Sequence, residues 1–415
     1  MKINFIPGGV TAASGFRAAC CAAGIKYKDR TDMAMLLSDA PCALAGTFTT
    51  NVVKAAPVIW DRQILENERS ARAVVVNAGI ANAATGETGM EMCRKTAEFT
   101  AKTLGIPAAS VLLGSTGVIG PNLPIDRITA GVAQMAGSLS DSLEAGTAAS
   151  RAIMTTDTVN KEIAVAFELP TADGRGTVTV RMGGMSKGSG MIHPNMCTML
   201  GYVTTDCAID QRLMQRALSD VVTDTFNMIS VDGDTSTNDT LLLMANGCAG
   251  NAPIDAEGEA YDAFRQALLT VCRDLAVKMA GDGEGATHLL EMRVTGADTK
   301  ENARTLAKSV IGSSLVKAMI FGRDANCGRV LCALGYSGVQ FDPSVIELYM
   351  KGEKETVCFY KDGCVQSFDE DAALRILSER AVHLTCDMKM GDQSATAWGC
   401  DLTYDYVKIN GDYRT

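Results

Sequence analysis

Short β-rich runs alternate with segments of helical periodicity along the whole 415-residue chain, and this alternation most constrains the fold. Ala73–Asn77 (AVVVN) is continuously apolar and β-branched, as a strand covered on both faces would be. Gly86–Leu104 follows as a helix. Ile163–Leu169 and Thr177–Met182 read as strands joined by the turn-rich TADGRG. Ile209–Val222 carries Leu213, Met214, Ala217, Leu218, Val221 and Val222 on one helical face. Ala256–Ala280 repeats apolar residues at three/four spacing (Tyr261, Phe264, Leu268, Cys272, Leu275, Met279) and meets Gly281 as a stop. Further helices are expected near Lys300–Val310 and Asp369–Glu379, and β-rich runs at Glu355–Tyr360 and Ala395–Val407. The class is mixed α/β, α+β in its segregation, and Thr171–Gly176 is a weak candidate boundary.

The length suits two domains with ample core. A net charge of −10 argues against nucleic acid or an anionic membrane surface as a partner. No run of eighteen apolar residues occurs, and the start MKINFIPGGVTAASGF has no apolar signal region, so the expectation is a cytoplasmic enzyme or binding protein. The fourteen cysteines are scattered and include no C-x-x-C, which favours reduced thiols over a disulfide framework. Only three histidines occur (His193, His288, His383), far apart in sequence, so no metal site is expected.

Several segments invite a chemical reading. STGVIG (Ser115–Gly120) follows the apolar VLLG, where glycine amides could face a cavity as an oxyanion hole does; an ordinary strand-to-loop turn explains it equally well. GGMSKGSG is not a P-loop and lacks G-x-G-x-x-G. VDGDTSTND (Val231–Asp239) and GDGEG (Gly281–Gly285) do not complete a calcium loop and read locally as turns. Cys197–Thr198 presents two nucleophiles. Cys197 would need a base such as His193, which Pro194 holds extended. Thr198 would gain one if the chain were cut before it, freeing its own α-amine. Local logic leaves both open, along with the reading that neither acts.

The stretch KGSGMIHPNMCTML resembles the cleavage segment K-G-x-G-M-I-x-P-x-M-A-T-M-L of the ornithine acetyltransferase (glutamate N-acetyltransferase) family of self-cleaving, N-terminal threonine enzymes. GGVTAASGFRAA, VVNAGIANAATG, STGVIG, IMTTDT, VDGDTSTNDT, GDGEGAT, FGRDANCGRV with ALGYSG, and YVKINGDYRT occur in family order across essentially the whole chain. The resemblance implies sheets flanked by helices in two lobes with the active site between them. It implies cleavage between Cys197 and Thr198 into an α chain (1–197) and a β chain (198–415), assembled as a heterotetramer of two α and two β chains.

The family's roles then fall on Thr198 as nucleophile and on Thr116 and Gly117 as oxyanion hole. Substrate contacts fall on Thr156 (Thr155 less so), Lys187, Thr198, Glu284, Asn410 and Thr415. A lysine and a glutamate suit an amino acid carrying both a carboxylate and an ammonium. The implied reaction moves the acetyl group of N-acetylornithine to glutamate without a cofactor; a bifunctional member would also take it from acetyl-CoA. The chain has Cys197 where the family usually has Ala, and Ala325 and Cys327 where Pro and Trp are common. The competing readings are a self-processing aminopeptidase or amidase of the same nucleophile class, a catalytically dead amino-acid binder, and a Cys197 nucleophile.

Overall fold

The computed structural model describes residues 2–193 and 199–412. In chain order its first strands are β1 (Asn4–Ile6), β2 (Phe16–Cys21), β3 (Met33–Phe48), β4 (Ser70–Ala81), β5 (Val111–Ile119), β6 (Lys161–Pro170), β7 (Thr177–Lys187) and β8 (Leu200–Thr205). They are followed by β9 (Ile229–Ser230), β10 (Thr240–Ala245), β11 (Leu289–Ala297), β12 (Glu347–Lys351), β13 (Thr356–Lys361), β14 (Cys364–Val365), β15 (Ala381–Asp387) and β16 (Gln393–Cys400). The helices before β9 are α1 (Ala56–Asn67), α2 (Gly86–Leu104), α3 (Ile125–Ala136), α4 (Leu143–Ala152) and α5 (Gln211–Thr223). The rest are α6 (Glu259–Gly281), α7 (Lys300–Gly312), α8 (Ser314–Gly322), α9 (Cys327–Gly335), α10 (Glu370–Leu377) and α11 (Tyr404–Gly411).

Two compact units result, each with its own sheet. The first takes the described residues of 1–188, 195–223 and 235–275; the second takes those of 189–194, 224–234 and 276–415. Both units draw on residues from either side of the Cys197–Thr198 position, so the boundary between them does not coincide with the expected chain division.

The first unit holds a nine-stranded sheet in the order β1-β6-β7-β8-β10-β3-β4-β5, with β2 also on β3. Most neighbours are antiparallel, but β4 and β5 run parallel, as do β8 and β10. The centre is covered on both faces, which is why AVVVN needs no polar alternation. Val75 and Leu113 point into a core with Cys93, Ala97, Ile128 and Val132 of α2 and α3. Val74, Val76 and Leu112 point into the opposite core with Tyr202, Leu242 and Ala149. On α6, Tyr261, Phe264, Leu268, Cys272 and Leu275 are all buried, as their spacing requires.

The second unit holds a seven-stranded sheet in the order β14-β13-β12-β15-β11-β16-β9. Here one face is buried and the other is not: β11 alternates Leu290, Met292 and Val294 inward with the outward Glu291 and Arg293. The inward set meets α7, whose Ala303, Leu306, Ala307, Val310 and Ile311 are buried. Among the described residues no single helix is long and apolar enough to cross a membrane.

Three sequence expectations are corrected. STGVIG does not leave the strand after VLLG; β5 continues through Ile119, because β4 pairs with it residue for residue from Ala73↔Val111 to Ala81↔Ile119. Thr171–Gly176 is no boundary but a hairpin inside the first unit, closed by Thr171 N donating to Gly176 O at 3.0 Å. The β-rich run expected to Val407 stops at Cys400. Thr403 then caps α11, its Oγ1 accepting from Tyr406 N, and the alternation beyond Cys400 is the surface of a helix with no buried residue.

Candidate functional site

In the first unit, Thr116 and Gly117 lie on β5, the last strand of its sheet. Gly117 has φ +126°, and a Cβ there would stand 2.3 Å from the carbonyl carbon of Gly79. No other residue fits at that point of the β4–β5 pairing. The free edge of β5 is held by side chains. Trp60 Nε1 donates to Val111 O (3.0 Å), Leu113 N donates to Asp61 Oδ1 (2.9 Å), and Asn238 Nδ2 donates to Ser115 O (2.8 Å). Ser115 Oγ accepts from Asn82 N and donates to Ile80 O, which ties β5 to the turn that ends β4. Val111–Ser115 are buried, whereas Thr116–Ile119 are partly exposed.

The same unit brings Lys187 beside the TTDT block. Asp157 accepts from Lys161 Nζ (2.7 Å) and Gly188 N (2.7 Å) through Oδ1, and from Thr155 N (3.0 Å) through Oδ2. Lys187 Nζ stands 3.9 Å from the same carboxylate. Burial pushes the Asp157 carboxyl up, but the charges of Lys187 and Lys161 outweigh it and hold the group well below the usual carboxylate range. Arg30 fixes the loop, its Nη2 donating to Met154 O and Thr155 O. Thr155 and Thr156 thus flank a buried carboxylate shared by two lysines, a structural role for Asp157 and Lys161 that spacing alone did not reveal.

The VDGDTSTND segment, read locally as turns, braces both units. In the first, Thr49 N donates to Asp239 O, Thr49 Oγ1 to Ser236 O and Ala55 N to Thr237 O. Thr240 N donates to Met199 O, where the described chain resumes. Burial pushes the Asp239 carboxyl well above the ordinary range, against the hydrogen bonds of Ser236 and Thr49 and the charge of Lys187. In the second unit, Asp232 accepts from Met191 N (2.6 Å) and Ile192 N (2.8 Å) and holds Met191 in the left-handed region at φ +56°.

Glu284 and Asn410 meet in the second unit. Asn410 Nδ2 donates to Glu284 Oε2 at 2.7 Å and to Tyr406 O at 3.0 Å. Glu284 N donates to Ser189 O, and its carboxylate covers Gly190, where a Cβ would fall 2.3 Å from Oε2. Tyr406 Oη donates to Asp232 Oδ2 (3.3 Å); burial, then the Asp232 charge, raises its phenol. The turn GDGEG is therefore built to aim a carboxylate. His193, the base considered for Cys197, has Nδ1 2.9 Å from Ser230 Oγ. Burial, then the charge of Lys308, lowers its pKa.

Thr116 and Gly117 are brought together on one strand, Lys187 with Thr155 and Thr156 around Asp157, and Glu284 with Asn410. Cys197, Thr198 and Thr415 lie outside the described residues. Among the described residues no three His, Cys, Asp or Glu side chains cluster to hold a metal ion.

Comparison with known proteins accounts for the motif order. Residues 17–415 match the model of the ArgJ family. The chain is 51% identical to the arginine biosynthesis bifunctional protein ArgJ of Symbiobacterium thermophilum over 415 residues, all of both chains. It is 47% identical to the protein of that name from Thermotoga neapolitana over 402 residues, 97% of this chain and 99% of that one. Among solved structures, the arginine biosynthesis bifunctional protein ArgJ of Bacillus halodurans aligns at 43% identity and TM-score 0.49, over 51% of this chain and 97% of that one. The ornithine acetyltransferase of Mycobacterium tuberculosis, solved with ornithine, aligns at 42% identity and TM-score 0.42, over 47% of this chain and 100% of that one. With a family model spanning nearly its whole length and relatives this similar from end to end, the chain belongs to the ArgJ family.

Proposed function

We propose that this protein is an ornithine acetyltransferase that moves acetyl from N-acetylornithine to glutamate through an acetyl ester on Thr198, and that the chain first cuts itself between Cys197 and Thr198. The observation that carries the reading is a register. Lys187, buried and paired to Asp157, stands opposite Leu200 on the neighbouring strand, two residues after Thr198 in sequence. A buried ammonium in register with Leu200 suits recognition of a substrate carboxylate.

In the cleavage step Thr198 Oγ attacks the Cys197 carbonyl carbon. The peptide C–N bond breaks as the ester forms, and the nitrogen leaves as the α-amine of Thr198. Water hydrolyses the ester and releases the Cys197 carboxylate. In transfer, that amine takes the proton of Thr198 Oγ as the oxygen attacks the acetyl carbon of N-acetylornithine. Thr116 Oγ1 and Gly117 N–H stabilise the oxyanion; one such donor is worth about two to three orders of magnitude in rate. The amine returns its proton to departing ornithine, and the α-amine of glutamate then takes the acetyl group. Glu284, with Asn410, binds the ammonium of the amino-acid substrate. The bifunctional naming of the relatives supports acetyl-CoA as a second acetyl donor.

Intact-mass analysis tests the first half of the reading, with chains 1–197 and 198–415 expected from wild type and one uncut, inactive chain from Thr198→Ala. An uncut wild-type chain that still transfers acetyl would sink the free-amine mechanism. Supplying N-acetylornithine or acetyl-CoA alone, with and without glutamate, tests the second half. Acetate release independent of glutamate would mark a hydrolase instead.

A further inference from the structure

The free edge of β5 carries information that the proposed mechanism does not use. Along a strand, alternate residues turn their N–H and C=O to the same edge. On β5 that row is Val111, Leu113 and Ser115, and each is held from outside the sheet by one side chain: Trp60, Asp61 and Asn238 respectively. Two of these come from adjacent positions of α1, so a helix takes the place of the missing neighbour strand. Gly117 is the next residue of the row.

Within this row Asp61 stands out. It is fully buried, and among the described residues its Oδ2 has no hydrogen-bond partner. A carboxylate that gives one oxygen to a backbone amide and leaves the other unpartnered in an apolar interior is a costly choice if it serves packing alone. The groups whose charge interacts with it are Tyr202 on β8, whose fully buried hydroxyl also lacks a partner among the described residues, and Cys93 on α2. Neither supplies a positive charge. The acid form avoids an unpaired buried charge while its carbonyl oxygen still accepts from Leu113 N.

We propose that Asp61 is a positioning residue for catalysis: by holding Leu113 N–H it sets the edge of β5 so that the Gly117 amide, two alternations further on, meets the oxyanion. The proposal rests on the reading of Thr116 and Gly117 as the oxyanion hole. A helical side chain can do what a strand would do at this edge, and it leaves the far end of the edge open to a substrate carbonyl, which a paired strand would cover.

The test compares kcat and KM of the cleaved enzyme, with N-acetylornithine and glutamate, across Asp61→Asn, Asp61→Leu, Thr116→Ala and the double variant Asp61→Leu/Thr116→Ala. Asn keeps the acceptor for Leu113 N and replaces the acid O–H by an amide N–H, so it should stay within about three-fold of wild type. Leu removes the acceptor; it should lower kcat about ten-fold or more with KM unchanged within two-fold, and because Thr116→Ala leaves the Gly117 amide in place, the double variant should lose at least about three-fold beyond Thr116→Ala. Trp60→Phe, which removes the donor to Val111 O together with part of the ring packed against both cores, should lower kcat without moving KM and serves if Asp61→Leu does not fold. A folded Asp61→Leu with wild-type kcat, no additional cost on Thr116→Ala, or an Asp61→Asn as poor as Leu overturns the proposal. So does a wild-type kcat in Trp60→Phe when Asp61→Leu is insoluble. Wild-type kcat in Thr116→Ala instead overturns the oxyanion reading, and the proposal with it.

Discussion

Replacing Lys161 by Met probes the pair that organises the TTDT loop. Lys161 Nζ lies 2.7 Å from Asp157 Oδ1, and both side chains are 0% exposed. Breaking a buried pair from one side typically costs about 3–5 kcal/mol, because the remaining charge loses its partner. Asp157 keeps Lys187 at 3.9 Å, which puts the expected cost near the lower end of that range. With an unfolding entropy of about 2.1 cal/mol/K per residue, a chain of this size has about 0.9 kcal/mol/K, so Tm should fall by about 3–6 °C at pH 7. The sign with pH follows from Asp157, whose folded-state pKa is depressed. Its contribution is present above the unfolded carboxylate value of about 3.9 and is lost as pH falls through the folded value, so the gap between wild type and variant should shrink below about pH 4. Asp157→Asn/Lys161→Met removes both charges and should recover part of the loss. Differential scanning fluorimetry from pH 2 to 8 reads all of this. A Tm change under about 1 °C at pH 7, or a double variant no better than the single, would refute the argument. In activity, Asp157 freed of Lys161 draws on Lys187 more strongly, so KM for N-acetylornithine should rise more than kcat falls.

Three further outcomes are expected. Gly117→Ala forces a Cβ into the Gly79 backbone at φ +126°, so the variant should be insoluble or show kcat at least about 100-fold down; soluble protein with wild-type kcat would contradict the site. Glu284→Gln removes the charge while sparing the Asn410 contact, and should raise KM for N-acetylornithine, which keeps a side-chain ammonium, at least ten-fold with little change in Tm, read by steady-state kinetics and fluorimetry. His383 donates to Glu291, whose other oxygen accepts from Trp398 Nε1, and the Glu291 bond raises the imidazole pKa. That raised value stabilises the fold below about pH 6.5 and the benefit disappears as pH climbs through the folded value. With the side chain 41% exposed the effect is under about 1 kcal/mol, so His383→Gln should lose Tm relative to wild type at pH 6 and not at pH 8.

The legibility of this molecule follows the range of the forces involved. Helix α2 matches its spacing at both ends, and α6 and α7 begin or stop within a few residues of their patterns, because amphipathic periodicity and a closing glycine are local. The β6–β7 hairpin was equally plain from TADGRG. Residues beyond Cys400 misled because Thr403 starts a helix that buries nothing, so no periodic apolar face announced it. Asp61 and Trp60 gave no signal at all, since an acid and an aromatic on a helix look like any surface pair until β5 is set beside them.

By itself the sequence determined the class, most of the elements and, through nine motif blocks in order, the family and the residues to watch. Only the tertiary structure decided that β10 enters between β8 and β3, which carries Asn238 to the edge of β5, and that Asp157 is shared by Lys161 and Lys187. These juxtapositions join residues far apart in the chain; Asn238 and Ser115 are 123 positions apart. Such pairs are selected by burial and by the need to satisfy every buried polar group, and neither leaves a periodic trace in the sequence.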